Sequence, residues 1–371
     1  MARKVLFLLL FALFALTACS FFWEPVKIGY VGCLSGPESM DAVSGLYGAT
    51  LMLDRANGES GVKGRRLELI ALDDRADPEQ GLAADRELKN EGAVAVIGHT
   101  GGAAMEKSVQ WAAGEKQLHI SPAVDSDAQA GIDDWLFRVV SDKRRLMAVL
   151  ARRMREEGVT GVAVLQTIDG RSETAAWLSA FQEQMAPFGL TLVRQDEFDA
   201  VREPVEMATF DAMRGAGADA VLLLASAKQT DALFGVWSRE AIGMPVYMTE
   251  WSYATGMLQR TDERLNGAVV ASGRNLLSQD APYVEFAARY REKHGVDPDA
   301  AAMYAYEAMG ILVEALRAAP DTTPDALKRT ILEIGTFRGL QSDITFDAYG
   351  DASRPVSCFR FDGNTLVPLS E

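Results

Sequence analysis

Apolar and polar positions along this chain fall into two series of short strands alternating with longer helices. Val26 to Val31 is a compact apolar run that predicts a strand, and between Gly45 and Asn57 the residues Leu46, Ala49, Leu53 and Ala56 recur at helical spacing. Leu67 to Leu72 predicts a strand ending at Asp73-Asp74, Pro78 to Glu91 a helix opened by proline, and Ala93 to Ile97 a buried strand. A glycine-rich turn, a helix reaching Glu115 and a strand at Leu118 to Ile120 complete the first series. After Phe137 to Val140 the rhythm restarts. Helices at Lys143–Glu157, Glu173–Met185, Val205–Arg214 and Lys228–Ala241 separate strands at Gly161–Leu165, Leu190–Arg194, Ala220–Leu224 and Val246–Met248. Gly267 to Ser272 leads to helices at Tyr283–Lys293 and Asp299–Ala318. The chain closes on strand-like segments at Ile344–Phe346, Val356–Phe361 and Leu366–Val367, the last two flanking an Asp-Gly-Asn turn.

Strands rich in Val, Ile and Leu, separated by helices, indicate parallel sheets covered on both faces. Two such series predict an α/β protein with two doubly wound lobes. Ligands of such sheets sit beyond the carboxyl ends of the strands. Candidate chemistry therefore belongs in the loops 32–41, 98–104, 121–127, 166–172 and 249–253.

The amino terminus changes the picture of location. Arg3 and Lys4 precede an unbroken apolar run, Val5 to Leu16. Its twelve residues would reach only about 18 Å as a helix, short of the roughly 30 Å hydrocarbon core. A secretory signal fits better than an anchor. Leu16-Thr17-Ala18-Cys19 resembles the bacterial lipobox, which implies a signal peptide over residues 1–18, lipidation of Cys19, and a chain held to the membrane by that lipid and facing the periplasm or cell exterior. The formal charge of −15 argues against nucleic acid, whose phosphates need clustered Lys and Arg. Cys33 and Cys358 remain, either as a disulfide or as two buried thiols. So few cysteines and three histidines scattered in sequence (His99, His119, His294) predict no metal site, and no cofactor motif is present. The absence of a nucleophile elbow or phosphate loop points away from an enzyme.

Ordered short motifs then carry a family resemblance over nearly the whole exported chain. They are Lys27-Ile28-Gly29, Leu34-Ser35-Gly36-Pro37, Tyr47-Gly48-Ala49, Asn57, Gly61-Val62-Lys63-Gly64-Arg65, Asp73-Asp74, Asp77-Pro78, Val96-Ile97-Gly98-His99, Ile120-Ser121-Pro122, Phe137-Arg138 and Phe346 to Asp351. Together they resemble the type I periplasmic solute-binding proteins, in particular the branched-chain amino-acid binding family of ABC importers. The resemblance implies two lobes joined by a three-segment hinge, with residues 26–140 plus 273–347 in one and 141–272 plus 348–371 in the other. It implies a small polar ligand (an amino acid, an amide or an amine) delivered to a membrane permease and its ATPase. A ligand-sensing receptor component is the alternative role.

The same resemblance nominates the site. The loop Thr100, Gly101, Gly102, Ala103 stands where relatives hold a ligand carboxylate, but Gly102 replaces their serine and Asp125 their threonine. An ionised Asp125 would repel a carboxylate there by about 4 kcal/mol at 4 Å and an effective dielectric of 20. Arg171 replaces a tyrosine in the second lobe. Glu250 matches the acid that binds an ammonium, and Trp251 and Tyr253 offer an aromatic wall. Asp125, Arg171 and Glu250 together predict a ligand with an amine or amide donor and a remote anionic group for Arg171. His99 is expected beneath its loop, and Tyr306 has a counterpart near the cleft.

Overall fold

The computed structural model describes residues 24–369 apart from 37–38, 124–129, 169–170, 254–256 and 258–262; the side chains of residues 103 and 171–173 lie outside it as well. Strands β1 (Val26–Gly32), β2 (Leu67–Asp73), β3 (Val96–Ile97), β4 (His119–Ser121) and β5 (Leu136–Arg138) form one parallel sheet in the order β2-β1-β3-β4-β5. Strands β6 (Gly161–Thr167), β7 (Thr191–Phe198), β8 (Ala220–Leu224), β9 (Val246–Thr249) and β10 (Val269–Ser272) repeat that order in a second sheet, β7-β6-β8-β9-β10, again parallel. The carboxyl-terminal hairpin β14 (Ser357–Asp362) and β15 (Thr365–Leu369) extends the second sheet antiparallel to β10. A small antiparallel sheet of β11 (Thr336–Arg338), β12 (Asp343–Phe346) and β13 (Ala352–Ser353) lies outside both. In each large sheet the strand order reverses beside its first strand, and the crevice of a doubly wound sheet opens at that reversal. The loops after β1 and β3, and after β6 and β8, flank the two openings.

Every residue of β6, β8, β9 and β10 is buried, as strands covered on both faces require. The first sheet is covered by α1 (Met40–Gly58), α2 (Pro78–Asn90), α3 (Gly102–Glu115) and, later in sequence, α9 (Ala281–His294), α10 (Ala300–Ala318) and α11 (Pro324–Ile334). Helices α4 (Lys143–Glu156), α5 (Arg171–Met185), α6 (Met207–Gly215), α7 (Ala227–Val236) and α8 (Arg239–Ile242) accompany the second sheet. Helix α10 is buried on nearly all sides between the first sheet and α1. Close approach of these two helices needs Gly48, where a Cβ would fall 2.0 Å from the Ala302 carbonyl oxygen.

Three local differences from the sequence pattern have physical reasons. The helical run Lys228–Ala241 is two helices, because Trp237 is extended, its indole N–H donates to the Val205 carbonyl at 2.6 Å, and Ser238 caps the second helix through the Ala241 N–H. Of Ala93–Ile97 only Val96–Ile97 is strand, although the Val94 N–H and the Ala95 carbonyl still bond to β1. Helix α11 is unforeseen: Thr323 caps it through the Ala326 N–H, Pro324 opens it, and Ala326, Leu327, Thr330 and Ile331 face inward.

Cys33, beyond β1, and Cys358, on β14, are both buried and are not joined to each other by a disulfide. Of the two readings the sequence left open, that of two buried thiols holds. The Cys33 Sγ–H donates to the Ser35 carbonyl at 3.3 Å, and burial pushes the Cys358 thiol up to about 11. Both thiols should therefore resist a thiol reagent in the folded protein and both should react after denaturation without reductant. A native disulfide, seen as no reactive thiol at either position after denaturation, would contradict this.

Candidate functional site

The chain passes between the sheets at the carboxyl ends of their strands, and there a polar group of side chains collects around Glu250. Glu250 begins a single 3-10 turn (Glu250–Ser252) directly after β9. Its carboxylate accepts from the Ser272 hydroxyl at the end of β10 at 2.7 Å and from the Tyr304 hydroxyl of α10 at 3.1 and 3.2 Å. Tyr304 packs in the core of the first sheet and Glu250 follows the second, so this bond ties the two sides together. The Arg274 Nε lies 3.7 Å from the same carboxylate. Gly273 separates Glu250 from Ser141; a Cβ there would lie 2.9 Å from the Ser141 Oγ and 3.5 Å from the Glu250 Oε1. No larger residue fits between them.

Charge continues behind this group. The Arg354 guanidinium lies 5.0 Å over the Tyr304 ring and forms an ion pair with Glu307, whose other oxygen accepts from the Leu340 N–H at 2.7 Å. Arg354 and Glu307 are only 2% and 3% exposed. Burial foremost, and then the Glu250 charge, push the Tyr304 hydroxyl well above its ordinary value, so it remains a donor.

Several polar atoms near these strand ends are buried and lack a hydrogen-bond partner among the described residues: the Ser141 Oγ, the Arg274 Nε, and the hydroxyls of Thr167 and Thr249, the last residues of β6 and β9. Buried polar groups are normally satisfied, and a run of exceptions at the mouth of a doubly wound sheet is what a ligand-receiving surface presents. A carboxylate offers about four lone-pair positions. Two hydroxyls occupy part of that capacity at Glu250, leaving room for a further donor.

The loop after β3 lies at the carboxyl end of the first sheet, beside its strand-order reversal. A Cβ on Gly98, whose φ is +136°, would fall 2.2 Å from the Val31 carbonyl oxygen, so only glycine lets this loop cross β1. Thr100 accepts from the Cys33 N–H at 3.4 Å, Gly101 caps α3 without a side chain, and Gly102 and Ala103 begin the helix. Beneath it, the fully buried His99 ring lies between two carboxylates, Nδ1 3.4 Å from Asp74 and Nε2 3.1 Å from Asp85; the His119 Nε2 also reaches Asp85 at 3.2 Å. Burial alone would lower the His99 pKa, but bonds to Asp74 and Asp85 overcome it and raise it to about 9. Burial likewise opposes ionisation of Asp85, and the charges and bonds of His119 and His99 win, holding it far below the carboxylate range. Two of the histidines read as scattered thus meet around one aspartate, a convergence that sequence spacings of 14 to 34 residues conceal.

The nominated residues therefore divide. Glu250 stands at the junction of the sheets, and residues 100–103 follow β3 into the start of α3. Arg171 is the first residue of α5, but its side chain, like the whole of Asp125 and Cys19, lies outside the described residues. Trp251 is half-buried and packs against the core between β6, β8 and α4, and Tyr253, also half-buried, packs on Phe361. Tyr306 turns away: it accepts from Arg55 of α1 at 3.1 Å and packs on Phe286, while Tyr304, two residues earlier, reaches Glu250. Ser141, Arg274, Tyr304 and the Arg354–Glu307 pair escaped the sequence reading. Glu307 alone left a signal, as the one charged residue in the stretch 300–313 of α10.

The sequence profile of the periplasmic binding proteins matches residues 25–365. The chain belongs to that family. This binding protein is 22% identical over 347 residues to the "Leu/Ile/Val-binding protein homolog 1" of Brucella abortus (strain 2308), covering 90% of this chain and 89% of that one. Its fold is similar to that of the branched-chain amino-acid transporter substrate-binding protein of Streptococcus pneumoniae in complex with isoleucine, at a TM-score of 0.77 and 19% identity over 93% of this chain and all of that one. It is equally similar to a solute-binding protein of R. palustris in complex with benzoate, at a TM-score of 0.78 and 15% identity over 93% and 96% of the two chains. Across these proteins one fold holds ligands of different chemistry.

Proposed function

We propose that this binding protein is the extracytoplasmic capture component of an ABC importer, non-catalytic, which closes on a small amine-bearing ligand such as an amino acid. On this proposal residues 26–140 plus 273–347 and 141–272 plus 348–371 are the two lobes, hinged where the chain crosses near Ser141, Arg274 and Asp351. The ion pair of Arg138 with Asp351 and the bond from the Arg138 N–H to the Gly350 carbonyl support a hinge there. Residues 1–18 act as a signal peptide, and a lipid on Cys19 keeps the protein beside its permease and ATPase.

The observation that carries the ligand assignment is the carboxylate of Glu250, presented at the junction of the sheets beside buried polar atoms of Ser141 and Arg274 that have no hydrogen-bond partner among the described residues. Glu250 receives the ligand's ammonium. Arg274 is placed for its anionic end, as a planar guanidinium suits a carboxylate.

A thermal-shift panel of amino acids, amines, amides and amine-free carboxylates tests this. A ligand present at one hundred times its Kd adds about 2.7 kcal/mol to stability. Amine-bearing compounds are expected to raise the transition temperature. A shift with benzoate-like acids and none with amines would replace an amine-reading site by one built on Arg274 alone.

A further inference from the structure

We infer that Asp85, His99 and His119 form a binding site for one divalent transition-metal ion of the zinc or cobalt class, buried beneath the loop 98–101. Three donors from three separate elements converge: Asp85 from α2, His99 from the loop after β3, and His119 from β4. The Asp85 Oδ1 lies 3.2 Å from the Nε2 of both imidazoles, and its Oδ2 lies 3.1 Å from that of His99. All three residues are fully buried.

The spacing is informative. Charge-assisted hydrogen bonds are short, about 2.7–2.9 Å. Elsewhere in this protein such contacts range from 2.6 Å between Arg194 and Asp196 to 3.2 Å between Arg55 and Glu59. The contacts within the cluster, 3.1 to 3.2 Å, lie at the long end of that range. Ligand atoms about 2.0–2.1 Å from a tetrahedral ion are separated by about 3.3 Å, close to the spacing found here.

The surroundings also suit an ion. The Nδ1 of His99 faces the Asp74 carboxylate at 3.4 Å, and Asp74 is itself held by the Ala76 N–H at 2.9 Å. A carboxylate behind an imidazole in this way turns the other ring nitrogen toward a metal and strengthens it as a donor. Gly81 lets the ring seat against α2, since a Cβ there would lie 3.2 Å from the His99 Cε1. Two imidazoles and a carboxylate are a borderline donor set, which favours Zn2+ or Co2+ over the oxygen-seeking Mg2+ and Ca2+. Asp85 and the two imidazole nitrogens supply three donors, leaving the fourth position of a tetrahedral ion to water. An ion here would staple α2, β4 and the β3 loop together under the rim of the crevice. It requires nothing of the ligand assignment at Glu250.

The test uses the purified protein, stripped with a chelator and then equilibrated with Zn2+ or Co2+ at mildly alkaline pH. The expected result is one tightly held ion per chain and, with Co2+, the strong visible bands of a four-coordinate site. His294→Ala, which removes the histidine stacked on Tyr47, should leave both unchanged, and His119→Ala should abolish both. Retention of less than a tenth of an equivalent by the unaltered protein, or binding that survives in a folded His119→Ala variant, overturns the inference and leaves the cluster as a hydrogen-bonded ion network. Should His119→Ala fail to fold, His119→Gln supplies the same comparison and is expected to lose the ion and the Co2+ bands.

Discussion

Arg354→Ala should lower the unfolding free energy by about 3–5 kcal/mol, because it strands the Glu307 carboxylate in the core without its partner. Glu307 keeps one bond, from the Leu340 N–H, and Tyr304 loses the cation above its ring. A solvated surface pair would be worth well under 1 kcal/mol, so the prediction rests on burial. Urea titration reads the loss directly, and in a thermal scan it appears as a fall on the order of 10 °C. Replacing both members of the pair with apolar residues of similar volume should restore most of the stability, since a missing charge pair costs less than a half-broken one. A loss under 1 kcal/mol for Arg354→Ala would mean that Glu307 finds water or another cation, and the charged chain from Glu307 to Glu250 would not be the tie between the sheets.

Glu250→Gln should weaken the ligand found by the panel by about 2–3 kcal/mol, on the order of 100-fold in Kd. The amide keeps the shape and one oxygen acceptor, so Tyr304 and Ser272 can still donate to position 250. What it removes is the charge that meets an ammonium. Stability should move by far less than affinity. Calorimetry of the variant separates the two roles of the residue: equal affinity with reduced stability would make Glu250 a structural tie only, and a large affinity loss with near-normal stability would make it a ligand contact.

The architecture was legible because the central strands of both sheets are buried on both faces, which writes them as unbroken apolar runs such as Val162 to Leu165 or Ala220 to Leu224. The break between helices α7 and α8 carries only Gly235 as a local signal; the bond from Trp237 to the distant Val205 carbonyl accompanies it and is not written in the local pattern. Tyr304 and Tyr306 show how narrowly a resemblance can miss. Two positions along a helix turn a side chain by about 200°, so one tyrosine faces Glu250 and the other faces Arg55. Arg274 and Ser141 carry no motif, and only the crossing of the chain beside Glu250 brings them together. His99, His119 and Asp85 are legible singly as polar residues in apolar surroundings, but their meeting depends on strand order, which periodicity does not encode.

A calorimetric titration of the unaltered protein with an amino acid from the panel, alongside the analogue bearing a hydroxyl in place of the amine, asks the decisive question in one comparison. Recognition of the ammonium by Glu250 predicts single-site binding of the amino acid and an analogue at least 30-fold weaker, about 2 kcal/mol. Equal affinity for the two compounds would show that no carboxylate reads the amine and would remove the basis on which this crevice was assigned its ligand.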